Sequence, residues 1–108
     1  MRGKKRQIRR FTPIEFLNFM KAGRELKETF PAGSSEWERA QKSIELLEQF
    51  QSGGLIGFPE YSVALKGAVT LKNTFQTADP EYRKADTLLS ALMRAYAASM
   101  RPISPSAA

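Results

Sequence analysis

Six cations crowd the first ten residues, Arg2, Lys4, Lys5, Arg6, Arg9 and Arg10, with no acid among them. Side chains of this type at this density capture polyanions electrostatically. The whole chain holds 17 Lys and Arg against 11 Asp and Glu, a formal charge of +6. Setting the six aside leaves 11 cations facing 11 acids in residues 11–108. The body is therefore neutral, and the amino-terminal segment carries the entire excess. Two polyanions fit it. On a nucleic acid, neutralising about six phosphates gives a log–log salt slope near −5. On an acidic membrane leaflet, each cation contributes about 1 kcal/mol. No RNP pattern, zinc finger or recognition helix is evident, so nucleic-acid binding is expected to be largely independent of sequence.

Other chemistries lack their residues. The chain contains no Cys and no His, which removes disulfides, thiolate nucleophiles, Ser-His-Asp catalysis and the usual zinc sites. Carboxylate, lysine and tyrosine chemistry remain, yet nothing places a nucleophile beside a base, so no enzyme, cofactor, metal or small-molecule substrate is expected. Glu45 and Glu48 share a helix face without a third ligand and are read as surface charges, like Glu36 and Glu38. Gly53-Gly54 is no phosphate loop, since no Gly-Lys-Ser/Thr follows. A simple myristoylation signal needs glycine directly after the initiator methionine, where this chain has Arg2. A cleaved secretory signal is not expected either, because Glu15, Asn18 and Lys21 interrupt the apolar region it would need.

The elements that must position the cations read as helices. Thr12-Pro13-Ile14-Glu15 combines a cap, a first-turn proline and a capping-box acid. Ile14, Phe16, Leu17, Phe19, Met20 and Leu26 then form a wide apolar stripe, giving a helix over 13–29 with a bend at Gly23. Because the stripes begin at Ile14, the body is expected to fold without residues 1–10. Ser35-Glu36-Trp37-Glu38 opens a second helix that buries Trp37, Ala40, Ile44, Leu47 and Phe50, and Ser52-Gly53-Gly54 ends it. A third helix is predicted over about 60–77, with Tyr61, Ala64, Leu65, Ala68, Val69, Lys72 and Phe75 on one side. Asp79-Pro80 caps a fourth, whose stripe is Tyr82, Ala85, Leu88, Leu89, Leu92, Met93, Tyr96 and Met100. The expected fold is all-α, a compact bundle of four to five helices. Its parts are a basic segment over 1–12, a helical domain over 13–101 and a flexible tail over 102–108.

The connection between the second and third helices is unusually apolar. Leu55, Ile56 and Phe58 either close the core beneath the bundle or form an exposed contact for self-association. Tyr82, Tyr96 and Trp37 can stack on bases, but at helical spacing they read as core. Arg83, Lys84 and Arg94 read as a solvated face.

Taken in order, these elements resemble a retroviral matrix domain of the lentiviral type. The resemblance runs over roughly residues 4–100. It rests on the basic amino-terminal stretch, a helix containing Arg24-Glu25-Leu26, the run Trp37-Glu38-Arg39-Ala40-Gln41-Lys42-Ser43-Ile44-Glu45-Leu46-Leu47-Glu48 and a glycine loop. A further helix holding Tyr61-Ser62-Val63-Ala64-Leu65-Lys66 and Ala68-Val69-Thr70-Leu71-Lys72 completes it. What this implies is a non-enzymatic adaptor in virion assembly that holds an acidic phospholipid membrane, and RNA, through one basic face. It implies that Lys4, Lys5, Arg6, Arg9 and Arg10 make the contacts, that Lys21, Arg24 and Lys27 extend the face, and that the domain trimerises. It also implies a place on the cytoplasmic face of a host membrane or inside a virion. Two other expectations rest on the residues alone. One is a viral or phage nucleic-acid-binding accessory protein, such as a duplex-RNA binder. The other is a small protein-interaction or inhibitor module in which the cations are incidental.

Overall fold

The computed structural model describes residues 8–100. The expectations for Arg2, Lys4, Lys5 and Arg6, and for the tail over 102–108, lie outside them. Four α-helices make up the described chain, α1 (Pro13–Glu28), α2 (Ser35–Gln51), α3 (Phe58–Thr74) and α4 (Pro80–Met100), and no strand occurs among the described residues. The connections 29–34, 52–57 and 75–79 are short, so consecutive helices lie antiparallel. α1 packs on α2 and α4, α3 packs on α2 and α4, and α1 does not touch α3. Hence the start of α1, the end of α2, the start of α3 and the end of α4 share one end of the bundle.

Helix α1 begins as its sequence dictates. The Thr12 hydroxyl accepts from the Glu15 N–H at 3.2 Å, while Glu15 Oε1 accepts from the Thr12 N–H at 3.0 Å, which closes a capping box. The face it buries differs from the expected stripe. Ile14 is 74% exposed and Leu17 is 66% exposed, whereas Met20, Gly23 and Leu26 are buried. Phe16 and Phe19 pack at the edge of the core. Gly23 explains the rotation. A Cβ there would sit 2.8 Å from Ile44 Cγ1 and 3.2 Å from Leu88 Cδ2, so α1 lies almost backbone-close to α2 and α4 at this turn. The helix runs through Gly23 without a break, and the glycine marks a point of close approach.

The core also starts earlier than Ile14. Phe11 is only 6% exposed, its ring edge-to-face with Phe19 (centroids 4.8 Å) and Phe50 (5.3 Å). Such pairs stabilise by about 0.5–1.5 kcal/mol beyond area burial. The residues just before the first helix are thus part of the packed body.

Two helix starts move from their expected places. Ser34, not Ser35, caps α2, its hydroxyl accepting from the Trp37 N–H at 3.2 Å. α3 begins at Phe58 and ends at Thr74, earlier than predicted at both ends, because Gly57 serves as N-cap without a side-chain bond and Pro59 fits the first turn. Asp79 precedes Pro80, but its carboxylate accepts from the Gln76 N–H at 3.0 Å. Small side chains line the inner seams. Ala64 and Ala68 of α3 and Ala85, Ala91 and Ala95 of α4 are buried, interleaved with Leu71, Leu88 and Leu92. Met93 and Met100, expected on the inner stripe of α4, are 52% and 62% exposed. Val69 of α3 is likewise outside at 37%.

Candidate polyanion interface

The end of α2 is where the basic segment meets the bundle. Gly53, at φ +113°, takes the left-handed conformation that a helix stop requires. Its N–H donates to Phe50 O at 3.2 Å, and the Gly54 N–H donates to Gln49 O at 2.9 Å, a Schellman closure. The turn leaves several carbonyls pointing outward at the negative end of the helix dipole. Arg10 fills that position. Its Nη1 donates to Phe50 O at 2.7 Å and to Gly54 O at 2.6 Å, and its Nη2 donates to Gly53 O at 3.0 Å. The guanidinium also lies 4.6 Å from the centre of the Phe50 ring.

Phe11 continues the attachment. Its N–H donates to Gln51 Oε1 at 3.1 Å and its carbonyl accepts from Gln51 Nε2 at 2.9 Å, so one amide side chain satisfies both backbone groups. Arg94 of α4 closes the other side. It pairs with Glu15 at 3.2 Å and lies 5.1 Å from the Phe11 ring centre and 5.8 Å from that of Phe19. The Thr12 N–H, together with Arg94, holds the Glu15 carboxyl below its usual range, desolvation opposing them.

The cations named from sequence therefore separate by role. Arg10 donates to three backbone carbonyls and acts as a clamp. Arg9 is exposed beside it. Lys21 is exposed on the outer face of α1, about 12 Å along the axis from Pro13. Arg24 is exposed on the same face and pairs with Glu48 at 3.9 Å. Lys27 turns away from that face: its Nζ donates to Gln41 Oε1 at 2.8 Å and lies 5.1 Å from the Trp37 ring centre. Arg94 and Lys84, read as solvated, are in cross-helix ion pairs, Lys84 with Glu25 at 3.5 Å. Sequence reasoning missed Phe11, Gln51 and Arg94 as the parts that hold the segment. The available signal was a large aromatic directly before the Thr12 cap, where an apolar residue fixes the entry of the chain.

The apolar connection divides between its two readings. Ile56 is 3% exposed and its N–H donates to Ser99 Oγ at 3.1 Å, so it closes the core. Leu55 and Phe58, 55% and 63% exposed, remain outside. The Phe58 ring centre lies 6.3 Å from that of Tyr96, which in turn stacks on Tyr61 at 4.0 Å with planes 5° apart. Burial, with Tyr96 beside it, raises the Tyr61 hydroxyl above the ordinary tyrosine range.

Among the described residues no group of three or more potential metal ligands comes together, and no helix is long and apolar enough to cross a membrane. No protein-family model, curated protein or solved structure matches this chain.

Proposed function

We propose that this chain is a non-enzymatic helical adaptor that docks on an acidic phospholipid surface through its amino-terminal cations. The observation that carries the reading is the placement of charge. The +6 excess equals the six cations of residues 1–10, and Arg10 with Phe11 ties that segment to one end of the bundle. Arg9 and Arg10 are thereby set at that end of the body, with Arg94 joining α1 to α4 behind them. Arg10 is excluded from the docking set, since its donors serve α2. The remaining cations are Arg2, Lys4, Lys5, Arg6 and Arg9, with Lys21 and Arg24 along the flank. Five such cations supply up to about 5 kcal/mol at an acidic surface. That strength is reversible, and a matrix-type role in virion assembly, with several copies acting together, is the setting that the resemblance suggests.

RNA competes for the same cations, so a competition experiment separates the two. The chain is incubated with duplex RNA at about 50 mM salt, where screening is weak, and acidic vesicles are added. Transfer of the chain to the vesicles is the expected result. Retention on RNA in the presence of excess acidic lipid overturns the membrane reading in favour of a nucleic-acid binder.

A further inference from the structure

The end of the bundle that receives the basic segment is also its most apolar exposed surface. Leu55, Phe58 and Met100 are each more than half exposed, and the fold places them together. Ser99 accepts from the Ile56 N–H and so holds the connection against the last turn of α4. Phe58 sits beside Tyr96 of that helix. Arg10, seated on the carbonyls of Gly53 and Gly54, brings itself and the exposed Arg9 up to the residue before Leu55. Residues 51–59 and 95–100 contain no charged side chain, and the one acid that follows them in the first turn of α3, Glu60, folds its carboxylate back beside Gly57. Ile14, in the first turn of α1, is exposed at the same end. The opposite end is different in kind. Its connections 29–34 and 75–79 contribute no exposed large apolar residue, and charged side chains of both signs flank them, Glu28, Glu36, Glu38, Asp79 and Glu81 with Lys27, Arg83 and Lys84.

We propose that this end is a membrane wedge, in which Leu55, Phe58 and Met100 enter the acyl boundary of an acidic bilayer while Arg9 holds a headgroup beside them. The inference rests on the membrane reading above and supplies what that reading lacks. A polybasic segment alone binds reversibly, and stable anchoring takes a second, apolar signal. Charge complementarity selects the occupant. An acidic bilayer offers anionic headgroups and an apolar interior side by side, matching the exposed Arg9 beside the exposed Leu55, Phe58 and Met100. A second copy meeting this surface through a two-fold axis would bring its own Arg9 and Arg10 against those of the first, a like-charge clash. RNA offers the anions but no apolar phase for Leu55 and Met100.

The test uses the full chain and the double variant Leu55→Ser, Phe58→Ser, with partitioning onto phosphatidylserine-containing vesicles followed across salt concentration. Each substitution is expected to weaken partitioning by about tenfold. The wild-type chain should keep a salt-resistant fraction on vesicles that the variant lacks. As a second readout, Phe58→Trp in a Trp37→Phe background should show blue-shifted emission that brominated acyl chains quench. Three results overturn the wedge. If wild type and variant partition alike at every salt concentration and the reporter is not quenched, the docking is electrostatic only and the wedge alone fails. If the double variant loses self-association in sedimentation velocity but partitions like wild type, the tip is a contact between copies. If the wild-type chain ignores acidic vesicles at low salt, the wedge and the membrane reading fail together.

Discussion

Arg10 and Arg9 are neighbours of one residue type, and the structure requires them to behave oppositely when replaced. Arg10→Met keeps most of the apolar stem and removes the guanidinium. Two part-buried hydrogen bonds to carbonyls are lost, at 2.7 and 2.6 Å, with a third, exposed one at 3.0 Å. Hydrogen bonds to a charged group contribute about 1.5–3 kcal/mol when buried. Here water can replace part of each, so about 1 kcal/mol apiece is appropriate for the two inner ones. The charge at the end of α2 contributes about 0.3–1 kcal/mol more, and the contact with Phe50 adds to it. The sum is a loss of about 2–3 kcal/mol, which for a domain of this size lowers Tm by about 10–20 °C. Arg9→Gln, at an exposed position, should leave stability within about 0.5 kcal/mol. Vesicle affinity should show the reverse order. Arg9→Gln weakens it about fivefold, the equivalent of one cation at the surface, while Arg10→Met leaves it within about twofold. Thermal unfolding and vesicle co-sedimentation of both variants measure the two columns of this comparison. An Arg10→Met protein with wild-type Tm and an affinity loss equal to that of Arg9→Gln would refute the clamp.

Other consequences are equally direct. Gly23→Ala gains helix propensity of about 1 kcal/mol but drives a methyl against Ile44 and Leu88. A net destabilisation of about 1–2 kcal/mol in urea unfolding is expected, reduced when Ile44→Val makes room, and a stabilised Gly23→Ala protein would contradict the close approach. Glu15 has its carboxyl held below the ordinary value by the Thr12 N–H and Arg94. Its contribution to stability is therefore fully present above the unfolded-state pKa and is lost as pH falls through the lower folded-state value. The acid limb of the urea midpoint should flatten in Glu15→Gln, and an unchanged limb would count against the capping box. Tyr61 should ionise later than an ordinary tyrosine in a spectrophotometric titration. Because its folded-state pKa is raised, the stability it contributes is present below the unfolded value and lost above it. Tyr61→Phe should remove that late phase, and a titration without such a phase would deny its burial against Tyr96.

Much of the architecture was legible because helix signals are local. The Thr12 capping box, the first-turn proline of α4 and the glycine stop of α2 all depend on residues within one turn. The inward faces of α2 and α4 followed from spacing, at Ala40, Ile44, Leu47 and Phe50 and at Ala85, Leu88 and Leu92. What failed was rotation and the ends. α1 turns a glycine inward, and glycine does not register in an apolar stripe, so Ile14 and Leu17 were placed in a core they do not enter. α3 opens on Phe58-Pro59 with a backbone cap, which leaves no Ser, Thr, Asp or Asn to mark it. The candidate site was legible as charge but not as roles. Arg10 differs from Arg9 only through carbonyls 40 to 44 residues away in sequence, and no local pattern encodes such a partner. Leu55, Ile56 and Phe58 formed one apolar group in sequence. In the fold the middle residue turns inward and the outer two stay in solvent.

The central claim is that the amino-terminal cations, apart from Arg10, dock this chain on an acidic membrane. Its most direct test is co-sedimentation with phosphatidylserine-containing and neutral vesicles. The wild-type chain is compared with a variant in which Arg2, Lys4, Lys5, Arg6 and Arg9 are replaced by Gln and Arg10 is kept. Wild-type chain should pellet with the acidic vesicles at about 50 mM salt and mostly release at about 500 mM. The variant should fold with unchanged Tm and stay in the supernatant. Equal binding of both proteins to acidic vesicles, or equal binding of the wild type to acidic and neutral ones, would contradict it.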